Sequence, residues 1–411
     1  MRLIHTSDWH LGHTLREQPR DEEHQAFLTW LLAELVRTHA DALLIAGDVF
    51  DQAHPTSAAQ RRFYHFLAQA RAQQPDLDIV VIGGNHDSAA RLDAPRPLFE
   101  VAGVRMVGGL PRTADRSLNL EHILVPLHDR TGAIAAWVVA MPFLRPADLP
   151  RVEAANVDPL VAGVAALYDQ ALAAARAGRE PDQALIAMGH CYLADTRRSE
   201  GSERKILGGN QHALPASIFP SDVAYVALGH LHLAQEVGAP HIRYSGSPIP
   251  LSLAEAEYPH QVVQVDLEGD RLVAATALPV PRQVAMIRVP EGPLGQVLAS
   301  LLALPPLDPH MPHWQRPFLE VTIALEGSAA DVRQKVEAVL QDKAARLVSL
   351  RLNALREDSS LADAMPTTDL QSLDPEAVLV RRWAARHGGT PPADLLNTFH
   401  ELLAAVQAEE T

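Results

Sequence analysis

The chain is poor in cysteine, in lysine and in long apolar runs, and each shortage excludes something. One cysteine, Cys191, stands in 411 residues. An intrachain disulfide is therefore impossible, and a reducing cytosol is the expected setting. No apolar stretch approaches the roughly 20 residues that span a bilayer. The start, Met-Arg-Leu-Ile-His-Thr-Ser-Asp, runs directly into a strand pattern, so no signal peptide is expected ahead of it. Lysine occurs only at Lys205, Lys335 and Lys343, none preceded by glycine. The phosphate-binding loop G-x-x-x-x-G-K-[ST] is thus absent, and any ATP dependence would come from a partner chain. The net charge of −15 argues against broad nucleic-acid binding through surface charge alone, unless metals and a local basic strip offset the field.

What the chain does have is five short apolar runs that each end in residue types able to bind metal. Leu3-Ile4 leads to Asp8 and His10, and Ala42–Ala46 leads to Gly47-Asp48. Ile79–Ile82 leads to Gly84-Asn85-His86-Asp87, Ala184–Met188 to Gly189-His190, and Val223–Leu228 to Gly229-His230-Leu-His232. Apolar runs bounded by glycine read as buried strands. Residues just past the C-terminal ends of such strands share one rim, where α/β folds bind ligands. Asp8, His10, Asp48, Asn85, His190, His230 and His232 are therefore expected to converge.

The chain exceeds one ordinary core, and its apolar fraction of 47% is that of a globular protein. Residues 1–281 alternate strands with helical patterns at about 21–38, 56–73 and 157–178. A hairpin is expected over 121–143, turning at Asp129-Arg-Thr-Gly132. The alternation predicts an α/β fold, a sheet covered by helices on both faces. After Leu278-Pro-Val-Pro-Arg282 a β-α-β-α-β pattern over 282–353 predicts a small α/β cap domain, and 354–373 reads as a polar linker. Over 374–411 two helices are expected, started by Asp374-Pro375 and Thr390-Pro391. The second carries Leu395, Phe399, Leu402 and Val406 on one face, which either docks on the main body or binds a partner.

Two carboxylates, a carboxamide and four imidazoles suit Mn, Fe, Co or Zn better than Ca or Mg, which prefer all-oxygen sites. Seven donors exceed one tetrahedral site, so two metals are the simpler reading, with Asp48 as the natural bridge. A pair roughly 3.5–4 Å apart can clamp a phosphoryl group during in-line attack. Alone, Asp-x-His or Gly-Asp is an ordinary turn and Gly-His is commonplace. Gly-Asn-His-Asp is rarer, and five strand-terminal hits together exceed chance. After His190, Arg197-Arg198 and Arg204-Lys205 form the densest basic patch near the site. They read either as DNA-phosphate contacts or, with Glu200 and Glu203 among them, as a solvated mixed-charge loop.

In this order the motifs resemble those of the calcineurin-like metallophosphoesterases. The wording His5-Thr-Ser-Asp-Trp-His-Leu-Gly12, Gly47-Asp-Val-Phe-Asp51, Gly84-Asn-His-Asp-Ser88 and Tyr244-Ser-Gly-Ser-Pro248 is closest to the nuclease subunits of bacterial ATPase–nuclease complexes. The resemblance implies a metallophosphoesterase core and two Mn²⁺ ions, other divalent transition metals being alternatives. One ion would be held by Asp8, His10, Asp48 and His232, the other by Asp48, Asn85, His190 and His230. It further implies His86 facing the scissile phosphate with Asp87 orienting it. The activities implied are exonuclease action on duplex ends and endonuclease action on single strands and hairpins, in DNA repair, recombination and replication. A homodimer and a coiled-coil ATPase bound through the C-terminal helices complete the picture. Relatives often carry a histidine where this chain has Asp51, and the next histidine here is His54. The rival readings are a two-metal phosphoesterase for nucleotides or phosphoproteins, and a metal-free scaffold that kept only the fold.

Overall fold

The structure is a computed structural model that describes residues 1–115, 117–152, 158–194, 196–197, 213–325 and 331–354, with scattered positions between 379 and 399. The chain lays down four parallel strands first: β1 (Arg2–Thr6), β2 (Ala42–Ala46), β3 (Asp78–Ile82) and β4 (Val104–Val107). Two long helices lie between them, α1 (Asp21–Thr38) and α2 (Ser57–Gln73), and two short helical segments, Ala89–Asp93 and Arg96–Glu100, precede β4. α1 begins with Asp21, Glu22 and Glu23, whose charge opposes the helix dipole. It ends at His39 in the left-handed conformation. Thr56 caps α2 by accepting from the Ala59 N–H at 3.2 Å.

A second sheet follows from β5 (Leu124–His128), β6 (Ile134–Ala140), β7 (Ala184–His190), β8 (Tyr225–Gly229), β9 (Gln235–Val237) and β10 (Ala239–Tyr244). β5 and β6 are the expected hairpin. The helix α3 (Pro159–Gly178) is capped by Asp158, with proline at its first position. The chain then returns to the first sheet with β11 (Gln261–Glu268) and β12 (Arg271–Pro279). The sheet orders are β12-β11-β1-β2-β3-β4 and β9-β10-β8-β7-β6-β5.

The helix-covered α/β core expected from strand–helix alternation is built of two sheets. One core joins Leu44, Ala46 and Val80 of the first sheet to Val138, Ile186 and Val226 of the second. The opposite face of the first sheet, with Ile4, Leu43 and Val81, packs on Phe27, Leu31 and Phe63 of α1 and α2. Leu167, Ala171 and Leu172 of α3 pack into the core of the second sheet. The order of layers is helix, sheet, sheet, helix, and each sheet has one helical and one sheet neighbour.

Beyond β12 comes a three-stranded unit, β13 (Met286–Pro293), β14 (Phe318–Leu325) and β15 (Arg346–Ala354), with α4 (Leu294–Leu302) and α5 (Val332–Leu340). Its core gathers Val297, Leu301, Val321, Ile323 and Val336. Fully buried Phe318 lies against Arg20 at 5.1 Å and Arg346 at 4.0 Å from its ring centroid. Arg20, buried before α1, is charge-paired with Glu23 and donates to the Pro250 carbonyl at 2.8 Å.

The segment Ala354–Thr411 is a separate unit, with helical backbone at Leu379, Val380, Arg382, Trp383, Leu395, Leu396, Thr398 and Phe399. The expected linker beyond Ala354, Leu402 and Val406 lie outside the described residues. No helix among those described is long and apolar enough to cross a membrane.

Candidate metal centre

All seven donors predicted from the strand ends meet at one rim. Asp8, His10, Asp48, His190, His230 and His232 are buried, while Asn85 and His86 are half-exposed. Trp9 anchors the first loop. Its indole is buried edge-on against Phe27 and Phe66, with centroids at 5.5 and 5.3 Å, and donates to Thr6 Oγ1 at 2.9 Å. Truncating such a ring costs about 3–5 kcal/mol, so Asp8 and His10 flank a fixed wedge. Asp8, His10, Asp48 and His230 all hold positive φ, between 46° and 102°. For residues other than glycine this strained backbone marks functional sites. Gly84 allows the next loop in: a Cβ there would collide with Asp48 Oδ1 and its backbone N.

The carboxylate of Asp8 accepts from the His230 N–H at 2.9 Å. Asp8, His10 and His232 bring one ligand atom each within 4.8 Å of the others, and so do Asp8, Asp48 and His190. On the other side Asn85 Oδ1 lies 3.0 Å from His190 Nε2 and 2.9 Å from His230 Nδ1. Asp48 Oδ2 stands 3.4 Å from His190 Nε2 and 3.6 Å from His10 Nε2, between the two groups.

These atoms fit a cation. His190 Nδ1 donates to the Ala46 carbonyl at 2.9 Å, so the neutral ring turns an Nε2 lone pair toward two oxygen acceptors. Three acceptors around one point repel unless a positive charge sits among them. Burial lowers the His190 pKa, but the Asp48 carboxylate, by charge and hydrogen bond, overrides this and pushes it up to about 9. Asp48 itself lies well below the usual carboxylate range, because His190 and His10 outweigh the cost of its burial. Burial, then the charge on His190, lowers His230 to about 3 and keeps that ring a neutral donor. His10 Nε2 is buried without a hydrogen-bond partner, as expected of a nitrogen reserved for a metal.

The pair expected to be catalytic, His86 and Asp87, is arranged differently from the sequence reading. Asp87 does not orient His86: its carboxylate accepts from the backbone N–H groups of Gly84, Val49 and Phe50 at 2.9, 3.1 and 3.0 Å. It staples the Asp48 loop to the Asn85 loop. Burial and the nearby Asp48 charge raise its pKa to about 6, against those N–H groups. The His86 ring is held instead by the Asp51 carbonyl, 2.8 Å from Nδ1, and its backbone N–H donates to Asp48 Oδ1 at 2.8 Å.

Sequence reasoning missed two residues in supporting roles. The Asp51 carboxylate meets His10 Nδ1 at 3.3 Å and His13 Nδ1 at 3.0 Å. Despite burial, these two rings hold it well below the usual carboxylate range. Glu255 meets His232 Nδ1 at 3.1 Å. Carboxylates behind metal-bound histidines fix the tautomer and ring angle. Of the predicted basic patch, only Arg197 lies among the described residues, exposed and bonded to the Gln235 side chain; Arg198, Arg204 and Lys205 do not.

Residues 1–234 match the family model for calcineurin-like phosphoesterases, and residues 282–387 match that for the type 5 capsule protein repressor C-terminal domain. SbcD, the D component of the nuclease SbcCD, of Rhodobacter capsulatus is 41% identical over 92% of this chain and 93% of its own length. That of Escherichia coli K12 is 33% identical over 93% of both. Among solved structures, a dimetal phosphatase from Danio rerio covers 68% of this chain and 99% of its own, at 11% identity and a TM-score of 0.37. The site and the core define a metallophosphoesterase, a hydrolase. More narrowly, the chain belongs to the SbcD family of nuclease subunits.

Proposed function

We propose that the chain is a Mn²⁺-dependent DNA nuclease binding two ions, an exonuclease on duplex ends and an endonuclease on single strands and hairpins, in DNA repair and recombination. The observation that carries this is the meeting of His190 Nε2, Asp48 Oδ2 and Asn85 Oδ1 around one point, in a chain of this family. Asp8, His10, Asp48 and His232 would hold one ion and Asp48, Asn85, His190 and His230 the other. Such a pair lowers the pKa of water and stabilises both the attacking and the leaving oxygen of an in-line displacement. Asp48 would belong to both sets. His86 has Nδ1–H committed to the Asp51 carbonyl, which leaves Nε2 as the working nitrogen. From Nε2 the ring would donate to the scissile phosphate or to the departing 3′ oxygen. Asp87 would act through the backbone of both loops.

On this reading residues 1–281 form the nuclease domain and 282–353 a cap that selects DNA ends. Residues 354–373 form a linker, and 374–411 dock on an SbcC-like coiled-coil ATPase through Leu395, Phe399, Leu402 and Val406. The relatives are named as subunits of SbcCD, which supports that partner. Leu402→Asp should then abolish pull-down of the ATPase. Arg197, Arg198, Arg204 and Lys205 would contact DNA phosphates, and the chain would work as a cytoplasmic homodimer.

The test is cleavage of an end-labelled hairpin DNA by wild type and His86→Ala, with Mn²⁺ and with EDTA. Cutting should need Mn²⁺ and fall about 10²–10⁴-fold in the variant, with metal content unchanged. If metal-loaded protein supplied with the ATPase leaves DNA intact but hydrolyses a small phosphodiester, the substrate is a nucleotide instead.

A further inference from the structure

Glu255 is fully buried at the end of a single turn, Leu253–Glu255, and both its oxygens are engaged. Oε1 lies 3.1 Å from His232 Nδ1 and 3.2 Å from Ser252 Oγ; Oε2 accepts from the Leu251 N–H at 2.8 Å. The segment before it is tied from several directions. Arg20 donates to the Pro250 carbonyl, and His13 Nε2 lies 2.9 Å from the Leu251 carbonyl. Arg288, on β13 of the three-stranded unit, donates to the Leu253 carbonyl and pairs with Glu320 at 3.0 Å. A side chain of one fold unit thus grips the turn whose carboxylate orients a donor of the other.

We propose that Glu255 is a positioning residue for His232, and that Arg288 holds its turn so that the three-stranded unit sets the affinity of one of the two metal positions. The inference rests on the two-ion reading. A carboxylate on Nδ1 fixes the tautomer that turns the Nε2 lone pair to the ion and raises its basicity. Loss of such partners typically weakens metal binding about 10–100-fold. The other position draws on Asn85, His190 and His230, none of which touches this turn through the contacts described above.

The experiment is a Mn²⁺ titration of the full-length protein, followed by the electron paramagnetic resonance signal of free hexaaqua Mn²⁺. Wild type should take up two ions. Glu255→Ala should lose about 10–100-fold at one position only, and Glu255→Gln, which keeps an acceptor for His232, should bind more tightly than the alanine variant. Arg288→Ala, altered at a partly exposed residue, should weaken the same position severalfold. Arg351→Ala, which loses an ion pair to Glu320 but no bond to the turn, should match wild type. Melting temperatures of the ion-free Glu255→Gln and Arg288→Ala proteins should stay close to wild type, which separates positioning from folding, whereas Glu255→Ala, which leaves buried donors unpaired, should melt lower. Unchanged affinity in Glu255→Ala overturns its role, and unchanged affinity in Arg288→Ala with a weakened Glu255→Ala overturns the link between units. A wild type that takes up fewer than two ions refutes the two-ion reading beneath both.

Discussion

Replacing Gly84 with alanine should damage the site far more than the fold, and comparison with Gly132→Ala should separate the two effects. Gly84 lies outside the left-handed region, so alanine suits its backbone there; the obstacle is the Asp48 amide and carboxylate at the position of the new methyl. The amide nitrogen cannot swing away, so one loop must move by about 1 Å, a misplacement worth about 10²-fold in rate. Overpacking of this kind costs about 1–3 kcal/mol in stability. Gly132 is the reverse case. It sits at φ +81° in the hairpin between β5 and β6, with nothing within 4 Å of a new Cβ. The left-handed backbone costs a non-glycine residue about 1–2 kcal/mol, with no consequence at the rim. Urea midpoints should fall comparably in both variants, while hairpin cleavage at saturating Mn²⁺ falls about 10²-fold in Gly84→Ala alone. A Gly84→Ala enzyme within about threefold of wild type would refute the argument, as would equal loss of activity in Gly132→Ala.

Other expectations follow from the same geometry. Phe318→Leu keeps an apolar side chain but removes the ring against Arg20 and Arg346, and should cost about 1–3 kcal/mol by urea titration; if Arg20→Met adds its own effect independently in a double-mutant cycle, the ring carries no such coupling. His5 is buried and neutral, its pKa lowered to about 3, chiefly by burial, with the Leu228 carbonyl opposing and Arg243 adding to the shift. The unfolded chain takes up that proton near 6.5 and the folded chain does not. Stability is therefore full above pH 6.5 and falls between 6.5 and about 3, and His5→Gln should flatten that limb of the pH–stability curve. Mn²⁺ at about a hundred times its dissociation constant should stabilise the fold by about 2.7 kcal/mol for each ion bound, and EDTA should reverse the rise in melting temperature; no shift would mean that the donors bind no ion in solution.

The rim was legible because buried parallel strands leave a plain trace. Runs such as Ala42–Ala46 are apolar on both faces, stop at glycine, and hand the next residues to a common edge. The same trace concealed the second sheet, since Val138 and Ile186 would read identically under a helix or under another sheet. Helix ends were readable where caps are local, as at Thr56 and Asp158. Supporting carboxylates were not. Glu255 follows His232 by 23 residues and meets it only through tertiary folding. Asp51 offered one signal, a second carboxylate just after Gly47-Asp48. Asp87 looks like the partner of His86 because it is its neighbour, but side chains adjacent in a loop point apart, and Asp87 turns to the backbone.

The donors span residues 8–232, Glu255 comes later still, and β1 gains its outer neighbour only when Asp266 pairs with Arg2. During synthesis at about 5–20 residues per second, roughly 15–50 s separate the first donor from that pairing. For most of that interval the emerging polypeptide lacks His232, and the first sheet lacks β11 and β12 until its end. A ribosome-bound fragment that stops short of His232 therefore lacks part of the donor set, and donors and both sheets are complete once about two thirds of the chain has been made.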